Sequence, residues 1–410
     1  MGKIWKVFWV MIMTMLLFTA CGSETTEKVK GVSEESVAID FSERIDGNYK
    51  VALITDNGDI TDQSFNQTTY EACKAFCAEN CVDFQYYKPE EDSDKERVKS
   101  VKRAIEDGYN VIVMPGYTFG AIIAEVSADY KDVMFIALDV AEGDLLEAGV
   151  ALAGETYDYN PSNWELTDYV YMDNVYCAIY QEELSGYMAG YAAVKMGYRK
   201  LGYLGGMEVP TVMRFGYGFV QGAEAAALEL GVSDVAIKYA YGNQFFGDEV
   251  ITTEMTKWYQ DGTEVVFACG GGIYSSAAEA ASKNKGKVIG VDTDQAAVID
   301  GMYGQGITVT SAMKGLYPTT IDTLTDVILN DNWTKYSGKV TTLGLVSKSE
   351  VENNYVQLPL ESTQWTDRFT VEDYVAMVGA MYDKTIEVSN DVSKEFVVEA
   401  VTVENLGNLK

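Results

Sequence analysis

The sequence predicts an α/β protein with a doubly wound, mostly parallel architecture. Eight short runs rich in Val, Ile, Leu and Phe alternate with amphipathic helical stretches. Runs that are apolar on both faces are typical of parallel strands covered by helices on two sides. Eight strands exceed one small sheet, and a chain of 410 residues corresponds to two or three domains of about 150 residues each. We therefore expect two domains, each a sheet flanked by helices.

The ends of the predicted strands indicate where a ligand would bind. The strands are predicted at 51–55, 111–114, 133–138, 201–204, 237–241, 265–269, 288–291 and 307–310. Asp56, Asp139 and Asp292 each follow one of these runs, and Gly270 to Gly272 follow another. Ligands of open parallel sheets bind beyond the carboxyl ends of the strands. The sequence thus predicts a cleft lined by acidic side chains and bare backbone.

The N-terminal segment has the features of a secretory signal. Lys3 and Lys6 precede an apolar run over residues 7–19, which Ala20 and Cys21 follow. The run is shorter than the roughly 20 residues that a transmembrane helix needs, and its order of charged and apolar residues is that of a signal peptide.

Residues 16–21 resemble a bacterial lipobox, although Phe18 stands where leucine is usual. We predict a lipoprotein signal peptide over residues 1–20, lipidation at Cys21 and a flexible polar tether over 21–48. The protein would then be anchored to the cell membrane and face its extracytoplasmic side. An uncleaved membrane anchor is the alternative.

Composition excludes several classes of function. The chain has 31 Lys and Arg, 62 Asp and Glu and no His, which gives a formal net charge of −31. Without histidine, Ser-His-Asp catalysis and His-ligated zinc are excluded. A chain this acidic repels nucleic acid, and its charge favours a soluble monomer.

The cysteines are predicted to be structural. Cys73, Cys77 and Cys81 recur every four residues, which places them on one stripe of a helix, and Cys177 and Cys269 lie in apolar surroundings. Zinc sites usually pair two closely spaced cysteines with two further ligands, and no such set is evident. We expect buried thiols, no metal site and no obligatory disulfide.

Several motifs resemble those of the basic membrane protein family, the purine-nucleoside-receptor-like lipoproteins that serve ABC importers. The matching blocks are 51–56, 62–67, 186–191, 205–210, 214–215, 246–248, 270–272, 288–295 and 310–314. They occur in the family's order over nearly all of residues 50–350. The resemblance implies a two-lobed fold like that of type I periplasmic binding proteins, with a nucleoside held between the lobes and an ABC permease as partner.

Nine residues occupy the ligand-binding positions that the resemblance implies. They comprise a base-edge pair, two aromatic rings, three ribose-side charges and two glycines, namely Asp56 and Asn66; Phe65 and Phe246; Asp139, Asp292 and Lys314; and Gly270 and Gly272. Aromatic rings hold a base by stacking worth about 1–3 kcal/mol, and a carboxylate can accept twice from the ribose diol. Because a buried charge is costly unless paired, Lys314 should lie near one of the carboxylates.

Neighbouring side chains leave alternatives open. Phe245 competes with Phe246 for ring contact. Asp62 and Ser64 are interpreted as caps of the helix that begins there. Arg214 is either a structural ion pair or a cleft residue.

We also expect a division of the chain between the two lobes. Lobe I is predicted over residues 49–198 and 308–332, and lobe II over 199–307 and 333–410, with crossings near residues 198 and 307. Residues 142–172, acidic and rich in Tyr, are an insertion relative to the family. This insertion is either a surface elaboration or a lid over the cleft.

The expected function is capture of a nucleoside, most consistent with a purine, by closure of the two lobes, without catalysis or cofactor. One alternative is a ligand sensor that presents the same cleft to a signalling receptor. Another is a dinucleotide-dependent oxidoreductase, because glycines 270–272 open a helix and Asp292 lies about 20 residues further on, although Ser275 replaces the third glycine. A nucleoside hydrolase would need a calcium-binding Asp cluster, and Asp56, Asp59 and Asp62 lack the spacing of a calcium loop.

Overall fold

A computed structural model describes residues 49–56 and 58–410. The predicted signal peptide, lipidated Cys21 and tether lie outside the described residues. The strands are β1 (Lys50–Ile54), β2 (Asp83–Tyr87), β3 (Val111–Pro115), β4 (Met134–Leu138), β5 (Val175–Tyr180), β6 (Lys200–Gly205), β7 (Val235–Tyr241), β8 (Val265–Cys269), β9 (Lys287–Asp292), β10 (Thr308–Lys314), β11 (Lys339–Leu343), β12 (Val356–Gln357) and β13 (Val401–Asn408).

The helices alternate with the strands. They are α1 (Phe65–Glu79), α2 (Asp94–Glu106), α3 (Phe119–Val126), α4 (Glu142–Leu152), α5 (Glu182–Met196), α6 (Pro210–Leu230), α7 (Glu249–Gln260), α8 (Tyr274–Asn284), α9 (Ala296–Tyr303), α10 (Leu316–Leu324) and α11 (Val371–Tyr382). Within the described part of the chain, no helix combines the length and apolarity needed to cross a membrane.

The strands form two sheets with the same internal order. The first sheet runs β11-β5-β4-β3-β1-β2 and is parallel throughout. The second runs β12-β10-β9-β8-β6-β7-β13 and is parallel except for β12. The order β5-β4-β3-β1-β2 corresponds to β10-β9-β8-β6-β7, so the two lobes are equivalent units. The doubly wound α/β prediction is confirmed.

The central strands are buried because helices cover both faces of each sheet. The strands β3 and β8 are buried at every position. Apolar residues of each sheet pack into cores on its two sides. All five cysteines of the described chain are buried, as predicted. Cys81, however, lies beyond the end of α1 with a left-handed φ of 54°, so it is not on the predicted helical stripe.

The second lobe contains an unusually close pair of helices, α5 and α6. A Cβ atom at Gly186 would lie 2.1 Å from the carbonyl oxygen of Phe215, and one at Gly218 would lie 2.0 Å from that of Glu183. Only glycine permits this backbone contact. The 186–191 block of the family resemblance therefore serves packing rather than ligand contact.

The strand pairing differs from the predicted division of the chain. Strand β10 pairs with β9 in the second sheet although 308–332 was assigned to lobe I, and β11 pairs with β5 in the first sheet although 333–410 was assigned to lobe II. Helix α5 packs on α6 and β10 and thus also belongs to the second lobe, whereas α10 packs on α1 in the first. The chain therefore crosses between lobes after β5, β10 and β11. Hydrophobic periodicity predicts the type of an element but not its neighbours, which explains the error.

Candidate functional site

A cavity of about 590 Å³ lies between the carboxyl ends of the two sheets. Both lobes contribute to its walls, as expected for strands that end at the same edge. All nine residues predicted from the resemblance line it: Asp56, Phe65, Asn66, Asp139, Phe246, Gly270, Gly272, Asp292 and Lys314. The structure thus brings the predicted set together, and their contact with a ligand stays a prediction.

Lys314, the last residue of β10, is the charged centre of the cavity. Its side chain is 2% exposed and forms an ion pair with Asp139, and its Nζ lies 3.6 Å from Asp292 Oδ1. The prediction that Lys314 lies beside a carboxylate is confirmed. The ammonium also lies 4.5 Å from the ring centroid of Phe65, within the range of a cation–π interaction.

Asp139 and Asp292 occupy equivalent positions in the two lobes. Asp139 directly follows β4, and Asp292 ends β9, the strand that corresponds to β4. Both have left-handed backbones, with φ of 62° and 66°. Asp tolerates this conformation better than most residues, and the turn directs both carboxylates toward Lys314. The Lys314 ammonium therefore lies between two carboxylates that occupy equivalent positions in the two lobes.

Burial shifts the pKa values of Lys314, Asp139 and Asp292, which we call the Lys314 triad. It raises the pKa of Asp139 to about 6, although the charge of Lys314 opposes the shift, and it also raises the pKa of Asp292. Burial alone would lower the pKa of Lys314, but Asp139, Asp292 and Glu182 hold it above its ordinary value. Lys314 therefore keeps its charge.

Two hydrogen-bond acceptors in the cavity are buried without a partner among the described residues. They are Oδ1 of Asp139 and Oδ1 of Asn66. Each lies beside a group that is already bonded: the other oxygen of Asp139 binds Lys314, and Nδ2 of Asn66 donates to Asp62 over 3.2 Å. Because buried polar atoms are rarely left unpaired, both acceptors indicate a ligand that brings hydrogen-bond donors.

Of the two predicted caps of α1, Asp62 caps the helix and Ser64 does not. The carboxylate of Asp62 accepts from the backbone N–H groups of Asn66 and Gln67 at 2.9 and 3.1 Å and so caps α1, as predicted. Ser64 makes no side-chain cap, so its predicted role is wrong. Its hydroxyl instead donates to Asp292 Oδ2 over 2.5 Å. The Ser64 hydroxyl therefore bonds to the buried carboxylate of Asp292 and not to a backbone N–H group of α1.

Besides the bond from Lys314 to Asp139, the described residues include a pair of direct hydrogen bonds that join the lobes beside Asp292, and the Ser64 contact is the first of this pair. The second runs from Nε2 of Gln295 to the carbonyl oxygen of Gln63 over 3.0 Å. We call this pair of bonds the inter-lobe latch. No local pattern predicts the latch, because its partners are more than 200 positions apart and polar residues of these types are common in turns.

The position of Asp56 in the cavity depends on Gly116. Oδ1 of Asp56 accepts from Gly58 N–H at 2.8 Å. A Cβ atom at Gly116, whose φ is 130°, would lie 2.6 Å from the other carboxylate oxygen of Asp56. Glycine is thus required for Asp56 to keep its position. Tyr117, which also lines the cavity, was not predicted from the sequence; its place two residues after the end of β3 was the available signal.

Phe245 and Phe246 both line the cavity, so the two rings are not mutually exclusive candidates for ligand contact. Phe246 is 62% exposed at the mouth, where it pairs with Gly272. A Cβ atom at Gly270 would lie 3.0 Å from the ring of Phe245. Gly270 therefore makes room for a side chain of the protein, in addition to any ligand.

The insertion at 142–172 lies away from the cavity. It forms α4 and two short 3₁₀ turns around a small cluster of Leu146, Val150 and Tyr157, against which Trp164 packs. None of its residues, all of which the structure describes, lines the cavity. The surface-elaboration interpretation fits this position, and the lid interpretation does not.

A sequence model described as "ABC transporter substrate-binding protein PnrA-like", the Bmp family, matches residues 49–378. The chain belongs to this family. It is similar to the ABC transporter nucleoside-binding protein BmpA of Lactococcus lactis, with 27% identity over 62% of this chain and 66% of that protein. It is also similar to basic membrane protein B of Borreliella burgdorferi, with 26% identity over 72% of this chain and 78% of that protein.

Solved structures agree with this membership at the level of fold. An ABC transporter solute-binding protein of Aeropyrum pernix superposes with a TM-score of 0.60 and 20% identity, covering 84% of this chain and 88% of that one. One from Conexibacter woesei gives a TM-score of 0.58 and 19% identity, covering 83% and 99%. The protein therefore has the periplasmic-binding-protein-like fold that the resemblance implied and is a Bmp-family substrate-binding protein.

Behind the cavity of this Bmp-family protein lies a second layer of charge. Arg214 donates to Glu182 over 2.7 Å, and Glu182 lies 4.0 Å from Lys314. Arg214 does not line the cavity, which favours the structural ion pair over the cleft residue. Among the described residues, no group of three His, Cys, Asp or Glu is arranged to hold a metal ion.

Glu183, beside this layer, makes a testable contribution to stability. Burial, and then the neighbouring Glu182, raise the pKa of Glu183 to about 7. A folded pKa above the unfolded one means that the folded state retains a proton that the unfolded state releases, so the stabilisation is lost as pH rises toward and past 7. We expect Glu183→Gln to raise the free energy of unfolding at pH 8 by about 1–3 kcal/mol and to change it little at pH 5. Urea unfolding at both pH values measures this.

The matched control is Glu387→Gln at an exposed position. It should change stability by less than about 0.5 kcal/mol at either pH. Equal effects of Glu183→Gln at pH 5 and pH 8 would contradict the assignment.

Proposed function

We propose that this protein captures a purine nucleoside between its two lobes and delivers it to an ABC permease. The observation that carries the proposal is the pair of unpartnered acceptors, Asp139 Oδ1 and Asn66 Oδ1, which belong to residues lining one inter-lobe cavity. A nucleoside supplies donors at two ends, from its ribose hydroxyls and from its base edge. The L. lactis relative, named as nucleoside-binding, supports this class of ligand.

The ribose would lie at the Lys314 triad. Asp139 and Asp292 can accept from the vicinal hydroxyls, and the Lys314 ammonium can donate to a ribose oxygen. Because these groups come from both lobes, a ribose bound there favours the closed form.

The base would lie between the aromatic side chains. Phe65 and Phe246 offer ring faces, and Asp56 and Asn66 offer a carboxylate and an amide for donors and acceptors on the base. Gly270 and Gly272 leave backbone exposed at the same wall.

The charge of the cavity favours an uncharged ligand. Six Asp residues and a single Lys line it among the described residues, namely Asp56, Asp59, Asp62, Asp92, Asp139, Asp292 and Lys314. This field repels phosphate, so 5′-monophosphates should bind much more weakly than the nucleosides.

Closure would supply the signal for delivery. The inter-lobe latch already joins Ser64 to Asp292 and Gln295 to Gln63. A ligand that contacts both lobes adds to the latch and shifts the population toward the closed state. The three connections that cross between the lobes, after β5, β10 and β11, would provide the hinge, and the closed form would be what the permease binds.

The site of action would be the extracytoplasmic face of the cell membrane. The predicted signal peptide and the lipidation site Cys21 support this, as does the similarity to a protein of Pyrococcus furiosus named as an uncharacterized lipoprotein. The strong net negative charge supports a monomer.

Native mass spectrometry of protein purified without refolding tests the proposal, because it weighs any small molecule that is bound. Calorimetric titration with inosine, guanosine, adenosine and cytidine, and with ribose, adenine and inosine 5′-monophosphate, then defines the class. We expect the purine nucleosides to bind most tightly. Binding of free sugars in preference to every nucleoside would refute the proposal.

A further inference from the structure

The C-terminal strand β13 is a feature of this chain beyond the family match. The match ends at residue 378, whereas β13 spans Val401–Asn408. It pairs in parallel with β7 over its length, from Val401 opposite Val235 to Asn408 opposite Tyr241. It thereby covers the edge of the second sheet and leads toward the carboxyl end of β7, the end at which the cavity lies.

Both ends of β13 are fixed to the lobe. At its start, the carboxylate of Glu224, which is 8% exposed, accepts four hydrogen bonds of 2.8–3.1 Å from the backbone N–H groups of residues 399–401. At its end, Leu409 N–H donates to the carbonyl oxygen of Tyr241 over 2.8 Å. This double attachment determines where residue 410 lies.

Lys410 consequently reaches the loop 243–248, which we call the mouth loop. Its ammonium donates to Oε1 of Gln244 and to Oδ2 of Asp248, and it lies 5.9 Å from the ring centroid of Phe246. Gln244 and Phe246 both line the cavity. The same Gln244 donates through Nε2 to the carbonyl oxygen of Phe246 over 2.7 Å, so Lys410 and Phe246 are joined through one side chain.

The mouth loop needs such support, because its key ring has little packing of its own. Phe246 is 62% exposed, and Asn243 has a left-handed backbone with φ of 58°. A ring that is free to change rotamer must be ordered when a ligand binds, and that ordering reduces affinity.

We propose that Lys410 is a positioning residue that holds the mouth loop, and with it Phe246, in the orientation that receives the ligand. The inference rests on the proposed function for its effect on affinity. Covering the edge of the sheet would protect β7 from pairing with other chains, but that role requires only the strand and not an ammonium at its end. Substitution of the Lys410 side chain therefore separates the two roles.

The test uses Lys410→Met and Lys410→Arg in the full chain, with inosine as the probe. Lys394→Met is the matched control, because Lys394 also lies in the C-terminal segment and pairs with Asp391 away from the cavity. Three quantities are measured: hydrogen exchange of residues 243–248 without ligand, the inosine dissociation constant, and the thermal midpoint.

We expect Lys410→Met to accelerate exchange in the mouth loop and to weaken inosine binding about three- to tenfold, with the midpoint within about 2 °C. Lys410→Arg should retain both properties, since it keeps the charge, and Lys394→Met should change neither. In a Phe246→Ala background, Lys410→Met should have little further effect on affinity.

Unchanged exchange in Lys410→Met would overturn the proposal, and so would faster exchange with unchanged affinity. If the unsubstituted protein does not bind inosine or any other nucleoside, the proposed function fails. The exchange measurement then decides by itself whether Lys410 holds the loop.

Discussion

Replacing Lys314 by methionine is expected to abolish nucleoside binding and to destabilise the protein by about 3–5 kcal/mol. The ammonium is buried between Asp139 and Asp292, and its removal leaves two buried carboxylates without a cation. Methionine has a similar length, so packing against Phe65 is retained. The loss of stability and of binding then measures the effect of removing the positive charge. Urea unfolding and inosine titration measure the two effects.

The destabilisation should depend on pH with a defined sign. Asp139 has a folded pKa of about 6 even beside Lys314, and loss of the cation raises it further. A raised folded pKa stabilises the protein only while pH stays below it, so the variant should be closer to the unsubstituted protein at pH 5 than at pH 8.

Lys335→Met is the matched control. Lys335 pairs with Asp326 on the surface and is 54% exposed, so its loss should cost less than about 1 kcal/mol and leave binding unchanged. Equal effects of the two substitutions would show that burial of Lys314 has no special importance.

Asp292→Asn is expected to weaken nucleoside binding at least about 100-fold, because it removes a charged acceptor proposed to hold the ribose. Asparagine keeps the size of the side chain and also tolerates the left-handed φ of 66°. The unfolding free energy should fall by no more than about 1–2 kcal/mol, since Lys314 keeps Asp139 as partner. Titration with inosine measures the first effect and urea unfolding the second.

Asp294→Asn provides the control two residues away. Asp294 is exposed, and its carboxylate accepts from the backbone N–H of Ala296, a role that asparagine can also fill. Affinity for inosine should be unchanged. If Asp292→Asn binds inosine as tightly as this control, the ribose assignment is wrong.

The ion-paired triad links fold and proposed function through one set of groups. Asp139 and Asp292 lie at equivalent ends of the two sheets, and Lys314 ends the strand that neighbours Asp292. The ammonium neutralises one carboxylate from each lobe, and these two carboxylates would otherwise repel each other. The buried charges of Asp139, Asp292 and Lys314 therefore lie where they join the two lobes and where the proposed ligand would bind.

The predicted strands show which signals the sequence carries. All eight predicted runs are strands, because a short apolar run between turns is a local pattern. The five missed strands are β2, β5, β11, β12 and β13. The edge strands among them have one side open to solvent and so carry a weaker apolar signal; in β11, with the sequence KVTTL, no residue is fully buried.

The site shows the same division. The nine predicted residues meet in one cavity, and local patterns and motif order reveal their positions. Most lie at or just after strand ends, whereas Phe65 and Asn66 begin α1 and Phe246 lies in the mouth loop. The bond from Ser64 to Asp292 and the reach of Lys410 to the mouth loop were not predictable, since each joins residues more than 150 positions apart.

By itself, the sequence determined the α/β class, the run of apolar strands, the family resemblance and the chemistry available at the strand ends. Those properties depend on near neighbours along the chain, where spacing and residue type suffice. Only the tertiary structure decided which lobe holds β10 and β11, that Ser64 joins the lobes instead of capping α1, and that insertion 142–172 lies off the cavity. These outcomes depend on which distant groups are buried together, and that is settled by the packing of the two sheets rather than by any local pattern.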